Sequence, residues 1–383
     1  MNTLLQRDPQ DWRRIGGLDT AEEIHHQPRL WRSLAELLGA EQSRSAGFLG
    51  DWLSHPSHRV ILTGAGSSAF VGEILADELN AAWPAQIRAV ATTTLLTHPE
   101  LYLEPDAPTL LVSFARSGNS PESLAAVELL RQTVRLPRFL NITCNAEGRL
   151  AIGARAQADS LNLLMPAGSC DRGFAMTSSF SCMLLAALSV LGRGGMGAAL
   201  LRIDQLAAQA EIALRDWAAP LQALANQPHE RIVYLGSGPL EALAKEAALK
   251  VLELTSGRAL ALANTALGFR HGPKSALNSQ SLVVLLRSRK PLAQAYEQDL
   301  LDELRRDQVA ASCLSIGPKE SGAELSASVP DLSDAWLAPL WLLAAQQFAL
   351  HKSAALGLTP DNPFPDGTVN RVVQGVTIHS QAD

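Results

Sequence analysis

Four short segments of the sequence combine residue types that can bind an anion or move a proton. They are GAGSSA at 64–69, SFARSGNSPES at 113–123, EALAKEAALKVLEL at 241–254 and GFRHGP at 268–273. The first two each follow an apolar run and precede a helical pattern, so each marks the passage from a strand to a helix. Backbone N–H groups at the start of a helix favour a bound anion.

The segment at 113–123 is the strongest candidate for a phosphate site. Ser117, Asn119 and Ser120 place side-chain donors where a helix begins, and Arg116 adds a positive charge. Ordinary N-capping is the alternative interpretation, because Ser120 precedes a proline at the first helical position. A cap needs one such residue and not a cluster, so the segment predicts a site for a compact phosphate monoester.

The segment at 64–69 also matches the GxGxxA pattern of dinucleotide-binding proteins. That function requires an acidic residue at the end of the next strand to bind a ribose. The corresponding region, IRAVATTTLL at 87–96, has threonines instead. The sequence therefore argues against a dinucleotide, and it predicts neither a metal nor another cofactor.

The third and fourth segments raise the possibility of proton transfer. Glu246, Lys250 and Glu253 stand at i, i+4 and i+7, which places them on one face of a predicted helix. A solvated stripe of salt bridges is one interpretation. The other pairs a carboxylate of this stripe with His271, which lies between Gly and Pro, to move protons in an isomerisation. The spacing alone leaves both open.

Strands and helices that repeat along the chain would position these segments. RVILTGAGSS begins at Arg59 and RIVYLGSGPL at Arg231, while TLLVSFARS begins at Thr109 and SLVVLLRSR at Ser281. Subtracting 59 from 231 and 109 from 281 gives 172 in both cases. Unbroken apolar runs indicate strands that are buried on both faces, as in a parallel sheet covered by helices. The sequence predicts an α/β protein with two tandem doubly wound parallel-sheet domains.

The repeat suggests four segments. They are an N-terminal helical arm at 1–48, the two α/β domains at 49–201 and 219–366, joined by a helix around 202–217, and a tail at 367–383.

Composition excludes several classes of protein. The 383 residues carry a formal net charge of −6, which argues against nucleic-acid binding because that requires a basic face. The four cysteines show no CxxC spacing, and the N-terminus has no signal-like apolar core. The apolar stretch at 335–350 is too short for a membrane span of about 20 residues. We expect a cytoplasmic protein without a membrane partner.

Taken in order, these motifs resemble the sugar isomerase (SIS) domains, in particular the isomerase half of glucosamine-6-phosphate synthase. The stretches CDRGFAMTSS at 170–179, ALKVLELTSGR, GFRHGPKS and GTVNRVVQGV are similar to the AgaS-type galactosamine-6-phosphate deaminase/isomerases. Members of that group are also called tagatose-6-phosphate ketose/aldose isomerases. The resemblance covers nearly the whole chain and implies the tandem SIS fold, with the tail over the active site.

The resemblance implies a role for each matching residue. Two loops would bind the phosphate of a sugar through Gly66, Ser67, Ser68, Arg116, Ser117, Asn119 and Ser120. Glu253 would move a proton between C1 and C2, with Lys250 one turn before it, and Thr177 corresponds to a sugar-contacting position. His271 would assist opening of the sugar ring. In relatives this histidine reaches the site of the neighbouring subunit, which implies a homodimer.

Two departures from the synthase bear on the reaction. The synthase begins its glutaminase domain with a catalytic cysteine, whereas Met1 is here followed by Asn2, so the resemblance favours release of ammonia. The synthase tail also carries a lysine that handles the ketose carbonyl. Gln374 takes that position in this sequence, so no Schiff base from the tail is expected.

The sequence therefore predicts deaminating isomerisation of a hexosamine 6-phosphate, with galactosamine 6-phosphate giving tagatose 6-phosphate and ammonia. Within enzymes, the alternatives are glucosamine 6-phosphate as substrate, or aldose–ketose isomerisation without loss of ammonia. A non-catalytic sugar-phosphate sensor is a further alternative. Such sensors usually pair one SIS domain with a basic DNA-binding module, which this sequence lacks.

Overall fold

A computed structural model describes residues 3–329, 331–373 and 375–379. Within these residues, strands and helices alternate along the chain. The strands are β1 Arg59–Thr63, β2 Gln86–Ala89, β3 Thr109–Ala115, β4 Pro137–Thr143, β5 Ser160–Leu164, β6 Arg231–Leu235, β7 Leu260–Asn264, β8 Ser281–Leu286, β9 Ser312–Pro318 and β10 Leu325–Ala327.

The helices precede, separate and follow these strands. They are α1 Pro9–Ile15, α2 Leu18–His25, α3 Gln27–Ala40, α4 Gln42–Leu49, α5 Ser67–Ala82, α6 Thr92–Thr97, α7 Pro121–Thr133, α8 Arg149–Ala154, α9 Ser178–Leu191, α10 Gly195–Asp216, α11 Ala218–Ala225, α12 Pro239–Leu254, α13 Ala266–Phe269, α14 Pro291–Asp307 and α15 Asp334–Ala355.

The strands form two five-stranded parallel sheets with the same internal order. The first is β2-β1-β3-β4-β5, and the second, taken from its other edge, is β7-β6-β8-β9-β10. In each sheet the second strand in sequence lies on one side of the first, and the later strands lie on the other side. This reversal is the switch point of a doubly wound sheet. The predicted α/β fold with two tandem doubly wound sheets is confirmed.

The register of the two sheets repeats as well. Arg59 pairs with Thr109 between β1 and β3, and Arg231 pairs with Ser281 between β6 and β8. All residues of β3 and β8 are buried, as their unbroken apolar runs predicted for strands covered on both faces. Helices supply the cover: Leu130 of α7 packs in a cluster with residues of the first sheet, and α14 does the same for the second sheet.

The chain forms two compact units. The β1–β5 unit comprises Ser33–Cys170, Ser179–Leu200 and Asp366–Asp383, and the β6–β10 unit comprises Met1–Arg32, Asp171–Ser178 and Leu201–Pro365. The segment at 1–48, predicted as one arm, is thus divided between the units after Arg32. Each unit draws on chain segments that are distant in sequence.

Helix α15 lies in the β6–β10 unit and is buried from Asp334 to Ser353. Its apolar side chains form much of the core of that unit, and Gln346, Gln347 and His351 interrupt them. No helix in the described part of the chain is both long and apolar enough to cross a bilayer.

Candidate active site

The loop between β1 and α5 brings backbone and hydroxyl groups to the carboxyl end of the first sheet. Gly66 adopts φ 57°, in the left-handed region that favours glycine, and α5 starts directly after it. Ser67 and Ser68 form the first turn of α5 and are buried. The loop between β6 and α12 has the same shape, with Gly238 at φ 58°.

The predicted phosphate loop lies between β3 and α7 in the β1–β5 unit. The Oγ of Ser117 accepts a hydrogen bond from the N–H of Asn119 (3.2 Å), and the Oδ1 of Asn119 accepts one from the N–H of Arg149 (3.0 Å). Gly118 adopts φ 64°, so the chain turns sharply between the two polar residues. These local bonds hold Ser117 and Asn119 in place beside the start of α7.

Ser120 occupies the N-cap position of α7 but makes no capping bond. Its side chain donates instead to the Oγ of Ser123 (2.7 Å), and no side chain caps the helix at this end. The structure therefore has Ser120 at the N-cap and Pro121 after it, as the capping interpretation expected, but without a capping hydrogen bond from the serine side chain. A helix start without a side-chain cap keeps its N–H groups available to an anion.

Arg116 precedes this loop and is almost fully buried. Its Nη2 donates to the backbone carbonyl of Arg371 (2.8 Å), so the tail contacts the loop within the β1–β5 unit. Gln374, which stands where the synthase has its tail lysine, lies outside the described residues. The resemblance implied a tail over the active site, but it did not indicate which residues make the contact.

The stripe on α12 is a buried group of charges in the β6–β10 unit. The Nζ of Lys250 lies 2.6 Å from Oε2 of Glu253 and 3.3 Å from Oε1 of Glu246. The side chains of Lys250 and Glu246 are 0% exposed, while that of Glu253 is 22% exposed. The interpretation as a solvated stripe is wrong, because only the end of the group at Glu253 reaches solvent.

The charges around Lys250 keep it protonated. Burial alone would lower the pKa of its ammonium group, but the carboxylates of Glu246 and Glu253 outweigh burial and raise the pKa. Lys250 therefore remains a cation that binds one oxygen of Glu253. The other oxygen, Oε1, makes no hydrogen bond within the described residues, so Glu253 has an acceptor to offer a ligand.

His271 lies on an exposed loop between α13 and a short 3-10 turn. Its backbone N–H donates to the carbonyl of Gly268. The two charged residues nearest to it in sequence form ion pairs with α14: Arg270 lies 2.8 Å from Glu303, and Lys274 lies 2.9 Å from Asp307. These ion pairs hold the loop and leave the imidazole at the surface. In the described part of the chain, no hydrogen bond or ion pair joins the His271 ring to Glu253 or Lys250.

Thr177 is buried in the β6–β10 unit and bound to a carboxylate. Its hydroxyl donates to Oδ1 of Asp171 (2.8 Å), and its N–H donates to Oδ2 (3.0 Å). Asp171 was not among the predicted site residues. The polar stretch CDRGFAMTSS at 170–179 indicated a functional loop, but the sequence did not predict which of its residues bond to one another.

The fold and these polar loops define the class of tandem SIS-domain proteins. No protein-family model matches the sequence. The D-galactosamine-6-phosphate deaminase AgaS of Escherichia coli is 45% identical over 373 residues, which cover 95% of this chain and 96% of the relative. The enzyme of the same name from Shewanella sp. (strain ANA-3) is 42% identical over 367 residues, which cover 95% and 92%.

A solved structure gives the same result. The tagatose-6-phosphate ketose/aldose isomerase of Escherichia coli superposes with a TM-score of 0.85 at 39% identity, over 96% of this chain and 98% of that one. The chain belongs to the AgaS family of SIS-domain enzymes. The predicted resemblance is confirmed.

Proposed function

We propose that the protein converts a hexosamine 6-phosphate, with galactosamine 6-phosphate preferred, to the ketose 6-phosphate and ammonia. The observation that carries this proposal is the group Glu246–Lys250–Glu253, in which the one part-exposed member is a carboxylate with an oxygen available to a ligand. The substrate class follows from the names of the relatives that share 42% and 45% of their residues with this chain.

The reaction starts with the open-chain amino sugar. The loop of Ser117, Asn119 and Ser120 binds the phosphate, with Arg116 and the β1–α5 loop as further donors. Glu253 removes the proton from C2, which carries the amine, and electrons shift to the C1 carbonyl, whose oxygen takes a proton from water, to give an enaminol. Return of the proton at C1 yields a ketimine at C2. Water then adds to the ketimine, and ammonia leaves, so one water is consumed for each ammonia released.

Lys250 has a supporting role in this scheme. It binds Oε2 of Glu253 at 2.6 Å, which orients the carboxylate and leaves Oε1 for the sugar. General acid–base catalysis contributes about 10²–10⁴-fold to the rate. Glu253→Gln preserves shape and polarity but removes the proton acceptor, so turnover falls by about that factor while the substrate still binds.

Ammonia release from galactosamine 6-phosphate and from glucosamine 6-phosphate tests the proposal directly. In heavy water, the wild type incorporates deuterium at C1 of the ketose, and Glu253→Gln does not. Glu241→Gln is the matched control, because Glu241 lies on the same helix, is 43% exposed and pairs only loosely with Lys245 at 3.9 Å. Glu253→Gln protein that releases ammonia at the wild-type rate would remove Glu253 from the mechanism.

Plain aldose–ketose isomerisation is the second candidate, because the relative of solved structure carries that name. The same incubation separates the two reactions. Deamination yields one ammonia for each ketose formed, whereas isomerisation interconverts galactose 6-phosphate and tagatose 6-phosphate without ammonia. Activity of the wild type on the amine-free sugar alone would favour the second candidate.

We further propose a homodimer in which His271 serves the site of the partner subunit and assists ring opening. The exposed position of His271, on a loop held by two ion pairs, supports this arrangement. Inactive Glu253→Gln chains mixed with inactive His271→Ala chains regain part of the activity if the site is shared. Proven subunit exchange without any recovery contradicts the shared site.

We also propose the cytoplasm as the location of this reaction, because four widely spaced cysteines without CxxC spacing fit thiols in a reducing compartment.

A further inference from the structure

The loop at 171–178 in the β6–β10 unit is held from both sides by buried carboxylates. Asp171 binds its far end: in addition to the two bonds from Thr177, its Oδ1 accepts from the N–H of Ser178 (2.8 Å). Asp171 is 0% exposed. The loop is thereby closed on itself directly before α9 begins.

Glu23 of α2 binds the near end of the same loop. Its carboxylate accepts hydrogen bonds from the N–H groups of Arg172 and Gly173, the second at 3.2 Å. Its backbone carbonyl accepts from the hydroxyl of Ser178 (2.8 Å). Glu23 is 2% exposed, so a side chain from the N-terminal region, about 150 residues away in sequence, is buried for contact with this loop.

The fit between Glu23 and the loop leaves no space at residue 173. A Cβ atom on Gly173 would lie 3.0 Å from Oε2 of Glu23 and 2.8 Å from Oγ1 of Thr20. Any larger residue would push the loop away from α2. The glycine of the CDRGFAMTSS stretch is therefore required by this close approach.

We propose that Glu23 and Asp171 are positioning residues that hold the 171–178 loop, and with it Thr177, in the conformation that the reaction needs. The link to catalysis rests on the proposed function, because Thr177 is there a sugar-contacting position. The anchoring itself rests on the hydrogen bonds and burial of the two carboxylates alone. The two parts are therefore separable by experiment.

The carboxyl groups of Glu23 and Asp171 interact electrostatically, so the stability of the closed loop depends on pH. Burial and the charge of Asp171 raise the pKa of Glu23 to about 8, against the N–H groups of the loop and the guanidinium of Arg172, which lower it. Four other ionisable groups lie here. His26 bonds to Ser178, and Asp361 binds the start of α2. Asp19 and Glu22 both pair with Arg172.

The loop opens more easily as pH rises, because the closed and open states bind the proton of Glu23 differently. Glu23 is protonated in the closed loop up to about pH 8, whereas in an open, solvated loop it ionises near its ordinary pKa of 4.5. Each pH unit between these values therefore favours the open loop by about tenfold. Above about pH 8 the effect levels off.

Hydrogen exchange of the amides of Arg172, Gly173, Thr177 and Ser178 measures the opening without any substrate. Between pH 6 and pH 8 we expect wild-type protection to fall by about 50-fold beyond the intrinsic acceleration of exchange. Glu23→Gln, which keeps an acceptor for the loop but cannot ionise, shows no such excess fall. Glu22→Gln is the matched control: it changes the neighbouring, exposed carboxylate and retains the wild-type pH profile.

Kinetics tests the link to catalysis. Glu23→Ala leaves two loop N–H groups without their acceptor, so at pH 7 we expect KM to rise at least about tenfold, while Glu23→Gln stays within about threefold of the wild type. The anchoring is overturned if Glu23→Ala leaves the protection of these four amides at the wild-type value, whereas equal protection of wild type and Glu23→Gln at pH 6 and pH 8 overturns only the pH effect. The catalytic link alone is overturned if Glu23→Ala loosens the loop with an unchanged KM. If the wild type acts on no hexosamine 6-phosphate, the proposed function fails and the exchange result still decides the anchoring.

Discussion

The loops that follow β3 and β8 start from the same place in two equivalent sheets, yet they use their polar groups differently. After β3, the side chains of Ser117, Asn119 and Ser120 bond only to nearby backbone or hydroxyl groups, and within the described residues none of them meets a carboxylate. After β8, the sequence Arg-Ser-Arg-Lys at 287–290 has more positive charge and should attract an anion more strongly.

In the second loop the protein supplies the anions itself. The hydroxyl of Ser288 donates to Oδ2 of Asp334 (2.5 Å), and the N–H of Arg289 donates to Oδ1 (2.8 Å). The N–H of Ser288 donates to Oε2 of Glu297 (3.1 Å). Two internal carboxylates therefore take the hydrogen bonds that a bound phosphate would take at the equivalent loop.

The arginines of the second loop are neutralised in the same way. Arg287 is buried, with its Nε 3.5 Å from Glu297, and Arg289 lies 3.4 Å from both Glu320 and Asp331. A basic loop at a helix start is thus no proof of an anion site, because internal carboxylates already accept hydrogen bonds from several of its donors. The comparison supports the proposal that the loop after β3 binds the phosphate, because the polar groups of the loop after β8 are bonded within the protein.

The largest expected effect comes from removing donors from the first loop. Ser117→Ala with Ser120→Ala loses two hydrogen bonds to a charged group, at about 1.5–3 kcal/mol each, so KM for the sugar phosphate rises by about 10²–10⁴-fold. Ser288→Ala in the second loop is the control and leaves KM unchanged. A folded double mutant with wild-type KM would place the phosphate elsewhere.

Substitutions around the loop at 287–290 are expected to change the stability of the protein but not its affinity for the sugar phosphate. Glu297→Ala leaves Arg287 as a buried charge without its ion pair, which lowers the free energy of unfolding by about 3–5 kcal/mol. Urea denaturation measures the loss, and KM of the folded fraction stays at the wild-type value. Glu320→Ala, which removes one exposed partner of Arg289 and leaves Asp331, changes stability by at most about 1 kcal/mol. Equal effects of the two substitutions would refute the special role of Glu297.

Asp334→Asn is expected to have a smaller effect. Asparagine keeps one acceptor oxygen but replaces the other by a donor that faces the hydroxyl of Ser288 or the N–H of Arg289. One buried hydrogen bond is lost, at about 1–3 kcal/mol of the free energy of unfolding. The same denaturation assay checks this value. A variant as stable as the wild type would show that the loop does not depend on the charge of Asp334.

The free energy of unfolding is also expected to change gradually with pH. Burial raises the pKa of Glu297 to about 7, although the bonds from Ser288 and Ser237 and the charge of Arg287 lower it. The folded protein therefore retains a proton that the unfolded chain releases above its ordinary pKa of 4.5, so stability falls as pH rises from 4.5 to about 7 and is level above that. Glu297→Gln removes a slope of about 1.4 kcal/mol per pH unit, measured as the difference from the wild type in urea titrations. Parallel curves for the two proteins would contradict this assignment.

Much of the fold was readable from patterns within short stretches of the sequence. The apolar runs of β1, β3, β6 and β8 and their common offset predicted two parallel sheets, because strands covered on both faces need continuous apolar residues. The glycines of the first turns marked the strand-to-helix loops for a similarly local reason, since a φ near 60° is strained for other residues. The family followed from the same short motifs. The roles of the proposed site residues, including Ser68 and Thr177, stay predictions.

Hydrogen bonds and ion pairs between segments that are distant in sequence could not be predicted from the sequence. The sequence showed the spacing of Glu246, Lys250 and Glu253 but not that two of them are buried, because exposure depends on what packs against α12. Likewise, Ser288 and Asp334 are separated by 46 residues, and the distance between Glu23 and the loop at 172 is 149 residues. Local patterns determine which elements form, since they depend on neighbours in the chain. Which donor meets which carboxylate is decided only when the elements pack, because burial forces each polar group to find a partner at that point.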